Sequence, residues 1–429
     1  MADTITLVPT AALRGELTVP GDKSISHRAL VLAAAAEGMS AIGGRAEGAD
    51  QDSMVACLRA LGVGFDGTVA ATEVRGVGLR GFATPSADLD CGNSGATMRF
   101  LTGLLSGVPG MTAQLTGDAS LSRRPMTRVA EPLRGMGAEV ETSVDGRPPL
   151  RVSGRPLRGV DLAVEVASAQ VKTAILLAAL NAAGRTALTA PVSRDHTERL
   201  LRVLGVDLEV DDKGTITLTP PDRLPPLDLA VAGDPSSAAV WAVLGTIHPD
   251  ADVLIRGVCL NPGRTGFLEV LRRMGADIET TNVRQVGGED VGDIHVRSAA
   301  LRATEVGAAE VPTLVDEVPV LAVAASMADG ETWFRGLGEL RYKEVDRVEA
   351  VARQLGRMGA EIEVEGDDML VRGRGRLQGA EVDSLGDHRM AMSLAVAASV
   401  AAGETRISGA DVVAISYPGF FSELEKIST

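Results

Sequence analysis

One short pattern returns five times along these 429 residues: an apolar helix end, a glycine, then a strand. It reads Leu58-Arg59-Ala60-Leu61-Gly62-Val63, Leu133-Arg134-Gly135-Met136-Gly137-Ala138 and Leu201-Arg202-Val203-Leu204-Gly205-Val206. The last two copies are Leu271-Arg272-Arg273-Met274-Gly275-Ala276 and Leu355-Gly356-Arg357-Met358-Gly359-Ala360. Successive glycines are 75, 68, 70 and 84 residues apart. Glycine after the last apolar residue of a helix supplies the left-handed conformation that ends it, and alternating residues such as Ala138-Glu139-Val140-Glu141 then read as strand. A second pattern lies between the copies of the first, a polar opening followed by an Ala/Leu/Val-rich helix. It begins near Ser24, Ser94, Ser168, Ser236, Leu314 and Asp387, with glycines closing several copies, at Gly38, Gly184, Gly330 and Gly403. These helices are apolar on nearly every side and are expected inside a domain.

Six helices of one kind and five of the other imply six units of an α/β (α+β) fold. The sixth would hold Pro418 to Ile427, one strand short, with the N-terminal strand (Thr4 to Val8) completing it. The chain then crosses between domains near Leu17 to Gly21 and near Ala230 to Asp234. Residues 1–18 plus 233–429 form the domain holding both termini, and residues 19–232 form the other. Units of about 70 residues exceed the 20–50 of a solenoid repeat, which argues against a repeat array used as a binding scaffold.

The chain's size fits two cores rather than one. Aromatics are only 3% of residues, so those cores must be built from Ala, Leu and Val. No apolar run approaches the length of a membrane span, and the start of the chain lacks the layout of a signal peptide. Cys57, Cys91 and Cys259 have no paired spacing, which fits a reduced, cytoplasmic protein. A net charge of −15 argues against nucleic acid as partner. It also requires any anionic substrate to be held by locally clustered Lys and Arg.

Such clusters stand at the helix openings. They read Gly21-Asp22-Lys23-Ser24-Ile25-Ser26-His27-Arg28, Cys91-Gly92-Asn93-Ser94-Gly95-Ala96-Thr97-Met98-Arg99 and Ser168-Ala169-Gln170-Val171-Lys172. In the second half they read Gly233-Asp234-Pro235-Ser236-Ser237, Asp316-Glu317 and Asp387-His388-Arg389. A helix N-terminus offers free N–H groups and a positive dipole end, favouring phosphate or carboxylate. Ser and Asp are also ordinary N-caps there. Capping accounts for Ser236 but not for Lys23, Arg28 or Arg389, since cations are disfavoured in a first turn. Two unit anions about 5 Å apart repel by roughly 3 kcal/mol at an effective dielectric near 20. A dipole supplies only about 0.3–1 kcal/mol. Charge-assisted hydrogen bonds, at roughly 1.5–3 kcal/mol each, are therefore needed to hold two anionic substrates together.

Leu340-Arg341-Tyr342-Lys343-Glu344-Val345-Asp346-Arg347-Val348 is expected to open a helix. On it Val345, Val348, Ala352 and Leu355 would share an apolar face and Lys343, Glu344 and Arg347 a charged arc. A solvated salt-bridged face is the ordinary reading of such a run. The alternative is an anion site beside a proton donor. Basic residues recur in Ser122-Arg123-Arg124-Pro125-Met126-Thr127-Arg128 and Ser193-Arg194-Asp195-His196-Thr197-Glu198-Arg199. The five histidines show no ligand spacing, so no metal is expected. Gly21-Asp22-Lys23-Ser24 lacks the upstream glycine of a P-loop.

Taken in order, Pro20-Gly21-Asp22-Lys23-Ser24-Ile25-Ser26-His27-Arg28, Gly92-Asn93-Ser94-Gly95, Arg124-Pro125, Lys343-Glu344-Val345-Asp346-Arg347 and Asp387-His388-Arg389-Met390-Ala391-Met392 resemble the 5-enolpyruvylshikimate-3-phosphate synthase family. The resemblance covers essentially the whole chain. It implies a two-domain inside-out barrel of six βαβαββ repeats, three per domain, with the active site in the cleft between the domains. The implied reaction moves the enolpyruvyl group of phosphoenolpyruvate to the 5-hydroxyl of shikimate 3-phosphate, without cofactor or metal, in a monomer that is a glyphosate target. The same resemblance assigns residues. Lys23, Ser24, Arg28, Ser168, Ala169, Gln170, Ser193, Arg194, Asp316 and Lys343 would contact shikimate 3-phosphate. Lys23, Gly95, Arg124, Gln170, Arg347 and Arg389 would contact phosphoenolpyruvate. Lys23, Asp316 and Glu344 would be catalytic, Asp316 as base for the hydroxyl and Glu344 as acid toward the methylene carbon.

Two positions depart from the family pattern. Ser416 stands where many members have Lys before an aromatic-Pro pair. Ser168-Ala169-Gln170-Val171-Lys172, Gly21-Asp22-Lys23 and Arg194-Asp195-His196-Thr197-Glu198 resemble the glyphosate-tolerant class, yet Asn261-Pro262-Gly263-Arg264 stands where that class has Asn-X-Thr-Arg. The related transferase acting on UDP-N-acetylglucosamine usually carries a catalytic Cys before Arg-Pro. Here Gly117-Asp118-Ala119-Ser120 has none.

Overall fold

A computed structural model of the chain describes residues 4–428. Among them are twelve α-helices: α1 (Lys23–Ala35), α2 (Ala49–Ala60), α3 (Gly95–Ser106), α4 (Thr127–Gly135), α5 (Ala169–Ala179), α6 (His196–Val203), α7 (Pro235–Ile247), α8 (Gly266–Met274), α9 (Val318–Met327), α10 (Arg347–Arg357), α11 (His388–Val400) and α12 (Phe420–Ile427). Two kinds alternate strictly. The odd-numbered helices are buried along most of their length, and α7 is buried at every residue. The even-numbered ones bury one face only.

The chain divides into two compact units. One comprises residues 1–20, 232–285 and 290–429, the other residues 21–231 and 286–289. In the second unit, one sheet runs in the order Asp228–Ala230, Glu37–Gly43, Ala71–Val77, Gly64–Gly67. Its first pair is parallel and the next two are antiparallel. The sheets centred on Thr112–Thr116 and Thr186–Thr189 repeat that order. Sheets centred on Ala251–Cys259 and Asp329–Phe334 do so in the first unit. The sixth sheet has three strands, Glu381–Asp383, Thr405–Ser408 and Ile5–Leu7. Its N-terminal strand runs antiparallel to Thr405–Ser408, in the place the other sheets fill from the same repeat. This is the six-repeat inside-out fold expected from the sequence.

Each repeat is folded by local rules. The glycines at 62, 137, 205, 275 and 359 all have positive φ, between 75° and 100°, just past their helices. Buried helices can pack tightly because small residues stand at the crossings. A Cβ on Gly103 of α3 would meet the carbonyl oxygen of Ala174 of α5 at 2.1 Å. In the first unit the few aromatics collect, with Trp241 of α7 packed against Tyr417 and Phe420. No helix among the described residues is long and apolar enough to cross a membrane.

Several expectations need correction. Gly38, Gly330 and Gly403 do not terminate the buried helices. Ala36, Ala328 and Ala401 are already extended C-cap residues, and Gly38 and Gly330 lie inside the strands that follow. The helix expected near Leu314 begins at Val318, after a short 3-10 turn at Val311–Thr313. Nor do Lys343 and Glu344 lie on a helix. Asp346 caps α10 by accepting from Val348 N and Glu349 N, so the helix starts at Arg347 and Lys343 and Glu344 lie in the loop before it. Finally, Cys57 and Cys91, distant in sequence, are adjacent in space. Their mutual hydrogen bond and burial push the Cys91 thiol far above its ordinary pKa.

Candidate active site

In the second unit, the openings of α1, α3 and α5 carry the polar residues. Asp22 caps α1 by accepting from Ile25 N at 2.7 Å. This orders the turn that presents Lys23, whose Nζ lies 2.6 Å from Asp50 Oδ2. Ser24 contributes its carbonyl to Arg28 Nη1, while Arg28 Nε and Nη2 donate to Thr197 Oγ1 at 2.7 Å and Thr173 Oγ1 at 2.9 Å. Arg28 is thus buried and ties α1 to α5 and α6. Ser168 caps α5 through Val171 N, and Ala169 and Gln170 follow in its first turn. Gln170 Oε1 accepts from Arg99 Nη1. Arg124 Nη2 donates to Asn93 Oδ1 at 2.6 Å, and a Cβ built on Gly95 would come within 3.5 Å of Arg124 Nη1. Ser193 gives its carbonyl to Lys172, itself buried against Glu198 at 2.6 Å, and its hydroxyl has no hydrogen-bond partner among the described residues. Arg194 follows, partly exposed, ahead of α6.

In the first unit, the openings of α9, α10 and α11 converge on one guanidinium. Arg347 Nε donates to Asp387 Oδ2 at 2.8 Å, Nη1 to Asp316 Oδ1 at 3.1 Å, and Nη2 to Glu344 Oε2 at 2.7 Å. Burial disfavours its charge, but Asp387, Glu344 and Asp316 together hold it protonated well above the ordinary arginine value. Lys343 Nζ stands 3.4 Å from Asp316 Oδ1. Arg389 lies 3.8 Å from Asp316 Oδ2 and 3.7 Å from Glu317 Oε1. These two ion pairs are the only polar contacts of its guanidinium among the described residues. Ser416 follows the 3-10 turn Ala410–Ile415 and offers no charge in place of the family's lysine.

The structure therefore brings Asp316, Glu344, Lys343, Arg347 and Arg389 together in one unit. It brings Lys23, Ser24 and Arg28 to the opening of α1, and Gly95, Arg124 and Gln170 around Arg99 in the other unit. Sequence reading missed the half-buried Asp50 and the buried partners Arg99, Lys172, Glu198, Glu317 and Arg264. Most stand in or beside motifs already singled out. What was lacking was the pairing, because an acidic residue one position from a candidate base reads as a solvated neighbour until its burial is known.

A family model described as EPSP synthase (3-phosphoshikimate 1-carboxyvinyltransferase) matches residues 7–424. A protein named 3-phosphoshikimate 1-carboxyvinyltransferase from Gloeobacter violaceus is 51% identical, across 100% of this chain and 99% of its own length. One of the same name from Roseiflexus castenholzii is 49% identical, across 98% and 99%. The solved structure of an EPSP synthase from Acinetobacter baumannii matches with a TM-score of 0.90 at 39% identity, covering 99% of this chain and 98% of that one. A full-length match in sequence and in fold, on top of the six repeats and the clustered helix openings, places this chain in the EPSP synthase family.

Proposed function

We propose that the residues gathered at these openings carry out the family reaction, with roles divided between the two units. The chain is a transferase. It moves the enolpyruvyl group of phosphoenolpyruvate to the 5-hydroxyl of shikimate 3-phosphate and releases phosphate. The observation that carries the division of roles is the contrast between the cations. Arg28 and Arg347 are buried with Nε and both terminal nitrogens engaged, whereas Lys23 and Arg389 stand partly exposed, each ion-paired to a neighbouring carboxylate.

In this reading, Lys23, Ser24, Ser168, Ala169, Gln170, Ser193 and Arg194 receive shikimate 3-phosphate, with Arg28 fixing the frame beneath them. Gly95, Arg124, Lys23, Gln170 and Arg389 receive phosphoenolpyruvate. Asp316 takes the proton of the 5-hydroxyl as that oxygen attacks the central carbon of phosphoenolpyruvate, with Lys343 beside it. Glu344 delivers a proton to the methylene carbon, which becomes a methyl group, giving a tetrahedral intermediate. Glu344, left as carboxylate, then takes a proton back from that methyl group as phosphate departs, and the double bond is restored. Glu344 Oε2 is paired with Arg347 Nη2 at 2.7 Å. An arriving substrate anion that competes for Arg347 frees the carboxyl to pick up and deliver a proton.

Product formation from the two substrates, with UDP-N-acetylglucosamine as the control acceptor, tests the reaction. Glu344→Gln and Asp316→Asn are each expected to cut turnover by roughly 10²-fold or more, with shikimate 3-phosphate binding within a few-fold of wild type. Near-normal turnover in either variant removes that residue from the mechanism.

A further inference from the structure

The Asn261-Pro262-Gly263-Arg264 segment, set apart above as a departure from the family pattern, has no place in the reaction as described. Its arginine is nonetheless among the most deeply buried large side chains of the molecule, at 1% exposure. Arg264 Nη2 donates to Asp234 Oδ1 at 2.9 Å and to Ser236 Oγ at 3.0 Å. Ser236 in turn donates its hydroxyl hydrogen to Glu317 Oε1. Glu317, also 1% exposed, faces Arg389 Nη1. A continuous row of buried groups thus runs from Arg264 through the cap of α7 to the start of α9, and ends on the guanidinium at the start of α11.

Burying a carboxylate is costly unless it is paired and hydrogen-bonded, so a row of this kind is held in one arrangement or not at all. Its far end differs from the rest. The backbone of Arg389 is pinned by Asp387, which accepts from Arg389 N at 2.8 Å. Its guanidinium stands between Asp316 at 3.8 Å and Glu317 at 3.7 Å, beyond hydrogen-bond reach of either. The two carboxylates place the group electrostatically and leave its N–H donors available. Removing the charge of Glu317 leaves Asp316 as the one anion paired with Arg389 among the described residues. The guanidinium would then be drawn toward the candidate base and away from an incoming anion.

We propose that Glu317 is a positioning residue of the transferase, setting Arg389 for the anionic end of phosphoenolpyruvate, and that Ser236 and Arg264 hold Glu317 in that role. This rests on the assignment of Arg389 to phosphoenolpyruvate made above. A carboxylate grip is the same in ground and transition states, so its loss raises the Michaelis constant and spares kcat. Glu317→Gln, which keeps the shape and an acceptor for Ser236, is expected to raise the constant for phosphoenolpyruvate by roughly five- to ten-fold, leaving kcat and the constant for shikimate 3-phosphate within about two-fold. Ser236→Ala should act in the same direction, by roughly two- to three-fold. Combined with Arg389→Lys, Glu317→Gln should add almost nothing, because the two residues act as one.

A purely structural role would lower stability and the active fraction without a shift confined to one substrate. If Arg389→Lys raises the phosphoenolpyruvate constant while Glu317→Gln and Ser236→Ala do not, the inference is overturned. Additive effects in the double variant overturn it equally. If Arg389→Lys itself leaves that constant unchanged, the underlying assignment fails instead. Should Glu317→Gln not fold, Ser236→Ala measured against Arg389→Lys decides alone.

Discussion

His27 occupies a place where a positive charge would help an anion site, yet it is kept neutral. Its Nδ1 lies 2.8 Å from the carbonyl oxygen of Lys23, and its Nε2 lies 3.3 Å from Ser94 Oγ. Burial lowers its pKa to about 4, outweighing the attraction of Asp50. The charge at the opening of α1 must then come from Lys23. In the unfolded chain His27 titrates near 6.5, so between the two values the unfolded state binds the extra proton. Its contribution is complete above about pH 6.5 and is lost as the pH falls toward about 4, by at most about 3 kcal/mol. The melting temperature should fall across that window, and His27→Gln should flatten the fall. An equally steep fall in the variant would place its origin in other groups.

At the scale of elements, what the sequence disclosed and what it hid have separable causes. The recurring glycines were readable because a left-handed C′ residue is a local requirement, met within one turn. The buried helices were readable because Ala, Leu and Val stand on every face. The start of α10 is hidden by a run of charges that mimics a helical face, although Asp346 followed three residues later by Glu349 is a capping signal. The arrangement around Gly95 was hidden, since it depends on residues from α3, α4's approach and α5 at once. A Cβ there would sit 2.6 Å from Arg99 Nη1 and 3.4 Å from Arg99 Cζ. Gly95→Ala must therefore move the Arg99 tip, which bonds Gln170, and bring a methyl group against Arg124. Glyphosate, longer than phosphoenolpyruvate, has less room to yield. Glyphosate is expected to inhibit competitively with phosphoenolpyruvate, and Gly95→Ala to weaken that inhibition by roughly ten-fold or more with a smaller rise in the Michaelis constant. Equal shifts in the two constants would show that crowding at this position does not discriminate between the ligands.

At the scale of the whole molecule, the sequence repeat accounts for two crossings of the chain between units, yet the chain makes four. The additional two enclose residues 286–289, which leave one unit and return to it. No repeat announces this excursion, because it is fixed by side chains distant in sequence. Glu289 is 2% exposed and accepts from His196 Nδ1 at 2.7 Å, with Arg199 Nε at 3.5 Å. Arg199 Nη1 also donates to the carbonyl oxygen of Gly288 at 3.0 Å. A Cβ on Gly287 would strike the Leu229 side chain at 2.1 Å, so the turn lies flush against this unit. The opening of α6 is thus completed by a carboxylate encoded far beyond the end of its own continuous segment. Removing one member of a buried pair leaves the other desolvated and typically costs about 3–5 kcal/mol. Glu289→Ala should therefore destabilise the unit formed by residues 21–231 by about that amount, and Glu289→Gln by less, since an acceptor for His196 remains. Hydrogen exchange locates the effect: protection should fall first in α6, not in the strands Asp277–Val286 and Glu289–Arg297 that carry the turn. Unchanged protection in α6 would mean that the turn merely rests on this unit and that α6 is held by its own segment alone.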